Sequence, residues 1–512
     1  MKLLLRFLTL PIAALVSVAY AQAASPVTLS TSGKLVYHAT RRGDRIPDFS
    51  YAGYMGGGVP LPSVPVVRRV KPSGGDDTAA IQSAIDAVSA LPLRGQFRGT
   101  VLLEPGTFQC GKTLRITASG VVLRGSGASA STLRLTGEPH LAISISGDRT
   151  EQVSGSPAYI AESYVPVGAS SITVQDASNL HPGDRIRITR QVTPVWLKFM
   201  GMDQLSRNGK PETWVGSSLT TERTVIRVHG NTLDLDVPLT DSYDRNYLPP
   251  QGAEVQRIIA SGEIEQSGVE RLRIVAPARH VEMRGPLFGA INMRDLKDGW
   301  VRNVQVADTT GGISAGKGTR RITIEDVTFT HSESILGHAK PADFSAGGTQ
   351  ILFLRCASTG DSLFFVATGA RNQGPNVVLD STFHGDGHIQ PHQRWSTAML
   401  VDNTRVPDGG IDFMNRGEMG SGHGWTMAWG VVWNSTAKTF IIQNPPGAIN
   451  WSIGSTGDEI TAQMPNYPRT KLPDLPQGEI ISPDKRVRPA SLYREQLRER
   501  LGDSALQALN PI

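Results

Sequence analysis

From about residue 99 onward the chain runs in short apolar bursts separated by polar, glycine-bearing turns. Bursts at 101–103, 114–116, 121–123, 133–135, 272–275, 291–293, 301–306 and 322–329 are of strand length, with further ones at 351–354, 377–379, 398–401, 431–433 and 440–442. Helical periodicity is almost absent between them. Related bursts return every ~20 to 30 residues, the signature of a solenoid whose coils bury their apolar faces only by stacking. A set of β-sandwiches would instead show close-set hairpins with two-residue turns. The pattern predicts an all-β, right-handed parallel β-helix over 76–485.

Four segments depart from this rhythm. In 75–87, Asp76 or Asp77 can cap a helix whose Ile81, Ala84, Ile85 and Val88 share one face, a lid for the first coil. Strands with polar alternation around 165–190 and 223–239 predict an antiparallel β insertion at about 155–255, where Trp196, Phe199, Met200, Met202 and Trp214 suit either its own core or the lip of a groove. Leu492, Leu497, Leu501, Leu506 and Leu509 predict a terminal helix within a capping tail at 486–512. Residues 24–75, rich in proline and containing Gly56-Gly57-Gly58, read as an irregular segment lying along the rod.

The first 23 residues read as a cleaved export signal: Lys2 and Arg6, an apolar stretch, then small residues at Ala19, Ala21 and Ala23. The chain is therefore expected to be secreted or periplasmic, with no membrane span and as a monomer. With 51 Lys and Arg against 46 Asp and Glu the net charge is +5, falling to +3 once Lys2 and Arg6 are removed. That suits an acidic partner without demanding one, and no basic block interleaved with aromatics supports nucleic-acid binding. Cys110 and Cys356 sit in apolar contexts and read as buried free thiols; two cysteines exclude a disulfide scaffold.

The run from Gly75 to Ala87, the 101–108 strand with its Pro105-Gly106 turn, and Gly120-Val121-Val122-Leu123-Arg124-Gly125-Ser126-Gly127 together resemble the entry of the pectate-lyase superfamily. The resemblance implies a right-handed parallel β-helix closed by a short helix, and extracellular carbohydrate chemistry. It further implies β-elimination of uronic-acid polysaccharides as the usual reaction, with glycoside hydrolases and non-enzymes on the same fold. The catalytic lysines and arginines of that superfamily have no position-by-position match here.

Chemistry-bearing residues crowd into 384–434. An offset of 31 lays His392 on His423 and Asn403 on Asn434. On successive coils such residues stand near the ~4.8 Å strand spacing of a sheet. The asparagines then form a structural ladder, their amides bonding one another and the turn. His384, His388, Arg394, Arg416, Trp395, Trp425 and Trp429 share the stretch, with His338 farther off, a mixture suited to a glycan groove. The tryptophans plugging loop cores is the alternative.

β-Elimination needs three things: neutralisation of the uronate carboxylate, a base for the C5 proton and an acid for the leaving oxygen. Arg394 or Arg416 can fork the carboxylate, and His392 or His423 can serve as base. The acid is then the other histidine, or Tyr51 or Tyr54 if the N-terminal segment covers the groove. Asp386 and Glu418, with Asn415, are candidates for a Ca²⁺ site; no cofactor is otherwise expected. The spacing of His384, His388 and His392 does not make a zinc site, because glycines and Pro391 break any helix there. Hydrolysis by paired carboxylates from Asp386, Glu418, Asp402 and Asp412 is the rival enzyme reading, and a glycan-binding β-helix the non-catalytic one.

Overall fold

A computed structural model describes residues 25–510 apart from 208–209, 212–213, 283–284, 333–341, 362–363 and 461–476. The signal-like segment and His338 lie outside the described residues. Among the described residues, twenty-nine strands join in one coiled parallel system, a right-handed β-helix. Its register is set by three interior ladders. On the first face Val101, Leu123, Val269, Val301, Ile324, Phe353, Val378, Val401 and Val432 stack directly over one another. On the second face Phe108, Leu133, Ile274, Val306, Phe329, Ser358 and Phe383 do so. On the third, Leu114, Ile143, Ile291, Ile313, Phe344, Val366, Ile389, Ile411 and Phe440 follow suit. These side chains are at most 2% exposed, and the free thiols of Cys110 and Cys356 lie among them. No coil could bury them alone.

From Arg271 onward a single left-handed residue turns the coil from the first face to the second. Arg271, Asn303, Asp326, Arg355, Asp380, Asn403 and Asn434 occupy this corner with φ between 47° and 58°. Asn and Asp tolerate that conformation because their short side chains bond locally. Arginines there are held by their neighbours: Arg355 donates to both oxygens of Asp326 at 2.6 and 2.8 Å. Asn403 and Asn434 do stack here, since Asn403 N–H bonds Trp433 O at 2.9 Å. Their amides are spent elsewhere, however. Asn403 donates to Asp380, and Asn434 donates to the carbonyls of Val487, Pro489 and Ala490, because the C-terminal tail crosses that corner.

The lid helix, Thr78–Ser89, buries Ile81, Ile85 and Val88 against the first coil. Asp76 accepts from Thr78 N–H at 2.9 Å, whereas Asp77 stitches Ser73 N–H and Gln109 N–H instead of capping. The 24–75 segment is more ordered than its composition suggests. Val27–Leu29 pairs with Leu35–Tyr37, and Val66–Val70 is the first rung of the first face, paired in parallel with Gly99–Leu103. The antiparallel insertion holds a six-stranded sheet between Thr150 and Ser261, around a core that includes Ile172, Ile186, Ile188 and Leu233. Glu263 anchors it to the rod, accepting from Arg185 with both oxygens at 3.0 Å and from Arg320 at 2.9 Å.

The outer side of the first face is covered. Arg124, Glu270, Arg302 and Glu325 form an alternating charge ladder there. Glu270, fully buried, accepts from Arg124, from Arg302 Nε at 2.6 Å and from Trp300 Nε1 at 3.1 Å. Arg302 in turn donates to Pro62 O of the N-terminal segment at 2.9 Å. Farther along, the terminal helix Leu492–Leu501 docks by its start: Ser491 Oγ and Tyr493 N–H both donate to buried Asp402, at 2.7 and 2.9 Å. Tyr493 Oη reaches on to Ala52 O at 2.7 Å, so the two chain ends cover the face together.

Two stability measurements follow. Glu270→Ala removes the shared carboxylate from buried Arg302 and half-buried Arg124 and is expected to cost about 3–5 kcal/mol in urea unfolding; a change below about 0.5 kcal/mol would contradict the ladder's role. Burial, chiefly, raises the Asp402 pKa from 3.8 to about 7. A carboxyl whose folded pKa is raised stabilises the fold when protonated, so its contribution is present below the unfolded value and lost as pH rises towards about 7. Thermal midpoints should therefore fall over that window, and Asp402→Asn should flatten the fall; an unchanged slope would show that Asp402 is not its source.

Candidate functional site

The outer side of the third face carries a polar column. Ser144, Asn292, Ser314 and Ser345 succeed one another there, one per coil, then Ala367. Asn292, Ser314 and Ser345 are half-buried. The same column continues into Gln390 and Asp412, which flank the interior pair Ile389 and Ile411. The adjacent outer column holds Phe364, His388, Gly410 and Thr439 in succession. Rung stacking thus delivers His388, Gln390 and Asp412 to one place.

Their geometry is that of an oriented imidazole. His388 Nδ1 lies 2.7 Å from Asp412 Oδ2, and Gln390 Nε2 donates to the same oxygen at 2.7 Å. Asp412 and Gln390 are wholly buried and His388 is 8% exposed. The carboxylate fixes the proton on Nδ1, which leaves Nε2 as the basic nitrogen of the neutral ring. Burial alone would lower the His388 pKa, but the Asp412 carboxylate at bonding distance and the Asp386 charge raise it above 6.5. Gly410 makes this possible. A Cβ there would fall 2.4 Å from His388 Nδ1 and 2.7 Å from Thr439 Oγ1, so any side chain would push the ring off Asp412.

A pair of histidines lies near this His388–Asp412 pair. The rings of His392 and His423 are 4.7 Å apart, and His392 meets the Phe364 ring edge-on at 5.1 Å. Arg416 Nη1 donates to His392 O at 2.8 Å and faces its Nδ1 at 3.4 Å, with Cζ 5.8 Å from the Phe364 ring centre. Burial, aided by the Arg416 charge, depresses the His392 pKa to about 3, so this ring is neutral at ordinary pH and a poor proton acceptor. Arg394 Nη2 donates to Ser421 O and Oγ at 2.7 and 2.8 Å, holding the 414–425 loop. His423 is 7% exposed, and its carbonyl accepts from Trp214 Nε1.

Other candidates go elsewhere. Trp395, Trp425 and Trp429 are at most 2% exposed. Trp395 Nε1 donates to Asp241 Oδ2 at 2.9 Å and Trp425 Nε1 to Met200 O at 3.0 Å. They form the seam between rod and insertion, with Trp196 and Trp214 packed on Trp395, so as folded they present no stacking platform to a sugar. Tyr51 and Tyr54 lie over the covered first face: Arg500 sits on the Tyr51 ring and Tyr54 Oη donates to Gln266. Asn415 Oδ1 accepts from Gly417 N–H within the loop. Glu418 accepts from Ser206 of the insertion, and Asp402 lies under the terminal helix, so neither approaches Asp386. His384 is exposed and faces Asp408 at 3.6 Å. Among the described residues no group of three or more His, Cys, Asp or Glu side chains is gathered as metal ligands.

Sequence reasoning aligned His392 with His423 but missed the His388–Asp412 pairing. The first face advances 31 residues between Val401 and Val432, while the third advances 22 between Ile389 and Ile411. The excess is the 414–425 loop, inserted after the third face. The run Gly410-Ile411-Asp412, with an isoleucine directly before a polar residue as in His388-Ile389-Gln390, was the available signal.

No protein-family model and no curated protein matches this sequence. Solved structures similar to it include the tailspike gp61 of Pseudomonas phage phi297, 12% identical over 75% of this chain and 67% of that one, at a TM-score of 0.35. Another is the tailspike of E. coli bacteriophage HK620 in complex with a pentasaccharide, 10% identical over 77% and 55% of the two chains, at 0.39. A third is the A-module of the Azotobacter vinelandii mannuronan C-5 epimerase AlgE6, 13% identical over 80% and 74%, at 0.31. At these scores the likeness is one of architecture, and any reading of function rests on the side chains.

Proposed function

We propose that this protein is an exported polysaccharide-active enzyme, that His388 is its acid–base residue, and that the reaction is β-elimination at a uronate. The observation that carries the reading is the buried Asp412–His388 pair at the end of a column of half-buried serine and asparagine. Hydroxyl and amide groups spaced one per rung suit the hydroxyls of an extended glycan.

The residues divide the work as follows. Neutral His388 takes the C5 proton on Nε2, and Asp412 stabilises the resulting imidazolium. The C5–H electron pair becomes the C4–C5 double bond as the C4–O bond breaks. The imidazolium then returns its proton to the leaving oxygen, so no separate acid is needed. Arg416, held over Phe364 on the same side of the cluster, supplies the positive field for the uronate carboxylate, with Arg394 as the other candidate. His392, neutral, and His423 line the neighbouring wall. Hydrolysis by Asp386 and Asp412 fits less well, since Asp412 is wholly buried with Oδ2 already accepting two hydrogen bonds.

Incubation with pectate, alginate, glucuronan and glycosaminoglycans, following the absorbance of the unsaturated uronate, is expected to yield that chromophore with at least one of them. New reducing ends without it would mean hydrolysis, and retention without either product a binding protein; both would overturn the lyase reading. His388→Ala, assayed below its own thermal midpoint, should lower kcat at least ~100-fold, whereas equal activity would remove His388 from the mechanism.

The pH profile provides a separate check. A base works when neutral, and Asp412, with Asp386, raises the His388 pKa. The rising limb of kcat/KM should therefore lie above the ordinary 6.5 of imidazole. In Asp412→Asn the limb should move to lower pH as the rate falls. A limb that stays in place would detach Asp412 from the titrating group.

A further inference from the structure

Arg190, in the insertion, is 6% exposed, yet among the described residues its guanidinium makes no hydrogen bond. Its Nη2 is ion-paired with Asp241 Oδ1 at 3.4 Å, and that carboxylate is already bonded, Oδ1 to Ser242 N–H at 2.9 Å and Oδ2 to Trp395 Nε1 at 2.9 Å. The guanidinium is held in place by aromatic faces, with Cζ 5.5 Å from the Trp196 ring centre and 5.3 Å from that of Tyr243. Arg223, equally buried in the same insertion, shows the usual outcome: it donates to the carbonyls of Glu222, Val237 and Pro238. A buried cation with unspent donors is costly unless something else completes its hydrogen bonds.

What Arg190 faces is a cavity between the insertion, the N-terminal segment and the Trp395 corner. It holds about 30 Å³, room for a carboxylate or two waters but not for a pyranose ring. Its rim is amphipathic. Arg42 lies 3.6 Å over the Tyr164 ring and pairs with Asp244 at 2.5 Å, and Phe199, 36% exposed, stacks on Tyr247 at 4.1 Å. A larger cavity, about 240 Å³ under the terminal helix, offers less: its Arg494 is spent on Asp380 and its Arg486 on Asn403.

We infer that the Arg190 cavity is a second, non-catalytic binding site for the carboxylate of an acidic sugar. The carboxylate enters and forks on the guanidinium; the ring stays at the rim, its apolar face on the exposed aromatic side chains and its hydroxyls towards Arg42 and Asp244. Most of the lining residues belong to the insertion, and only Trp395, Pro446 and Gly447 come from the rod, so a glycan end held here would tether the polymer to the insertion while the third face works on another stretch. The anion site stands on Arg190 itself; that its occupant is a sugar rests on the reading of the preceding section.

Titration of D-glucuronate and D-galacturonate into the full chain, by calorimetry and by tryptophan fluorescence, tests this, since Trp196 lies directly beneath Arg190. Saturable binding of a uronate is expected, with none for glucose or galactose. Arg190→Gln should weaken it at least about tenfold, the loss of one or two charge-assisted hydrogen bonds, at an unchanged thermal midpoint. Arg42→Ala, at an exposed position, keeps the test open should the first variant not fold, and should weaken binding several-fold. No uronate binding by the unaltered protein, or equal binding by Arg190→Gln, would overturn the site. Acetate binding as tightly as the uronates would overturn its assignment to a sugar. Failure of the eliminase assay would leave this titration untouched, so the two readings fall separately.

Discussion

In-register stacking of parallel rungs is the constraint on which the rest of the molecule depends. Each interior ladder fixes the coils at the strand spacing of a sheet, ~4.8 Å, and a slip of one residue would turn every interior side chain outward. Because the inside is pinned, the outside is pinned too. Ile389 over Ile411 leaves Gln390 beside Asp412, and places His388 over Gly410, the one residue type that lets the imidazole lie flat enough to reach the carboxylate. The site is thus a by-product of core register, made from residues that share no local motif.

Electrostatics then separates the faces. On the covered first face charges are paired among themselves: Glu270 between Arg124 and Arg302, Asp326 with Arg355, Asp402 under the start of the terminal helix. These groups are spent on holding the chain ends down. On the third face the pairing is incomplete in a useful direction, since Asp412 takes one nitrogen of His388 and leaves the other. Two nearby histidines, 388 and 392, are driven opposite ways, one upward by a carboxylate and one downward by burial and a guanidinium. Environments that push similar groups apart are the usual mark of divided acid–base roles.

How much of this was legible in the sequence follows from what each feature depends on. The coil rhythm, the lid helix with Ile81, Ile85 and Val88, and the leucines of the terminal helix are local patterns, and they could be read directly. The offset of 31 found the His392–His423 neighbours because both lie on the stretch where the first face advances by that amount. It could not find Asp412, because loops enter between faces and each face keeps its own interval. Nor could it tell a tryptophan on a groove wall from one in a seam: Trp395 and Trp425 are buried by partners, Asp241 and Met200, that lie in an insertion far back in the chain. Side chains whose role is set by such distant contacts carry no periodic signal.

The central claim is that register alone builds an Asp412–His388 pair whose Nε2 is available for proton transfer. The most direct measurement is nitrogen-15 NMR of the His388 ring through a pH titration of the folded protein. The account requires a neutral form protonated at Nδ1 and a midpoint above 6.5. A ring that titrates at or below the ordinary imidazole value, or that carries its neutral proton on Nε2, would contradict it.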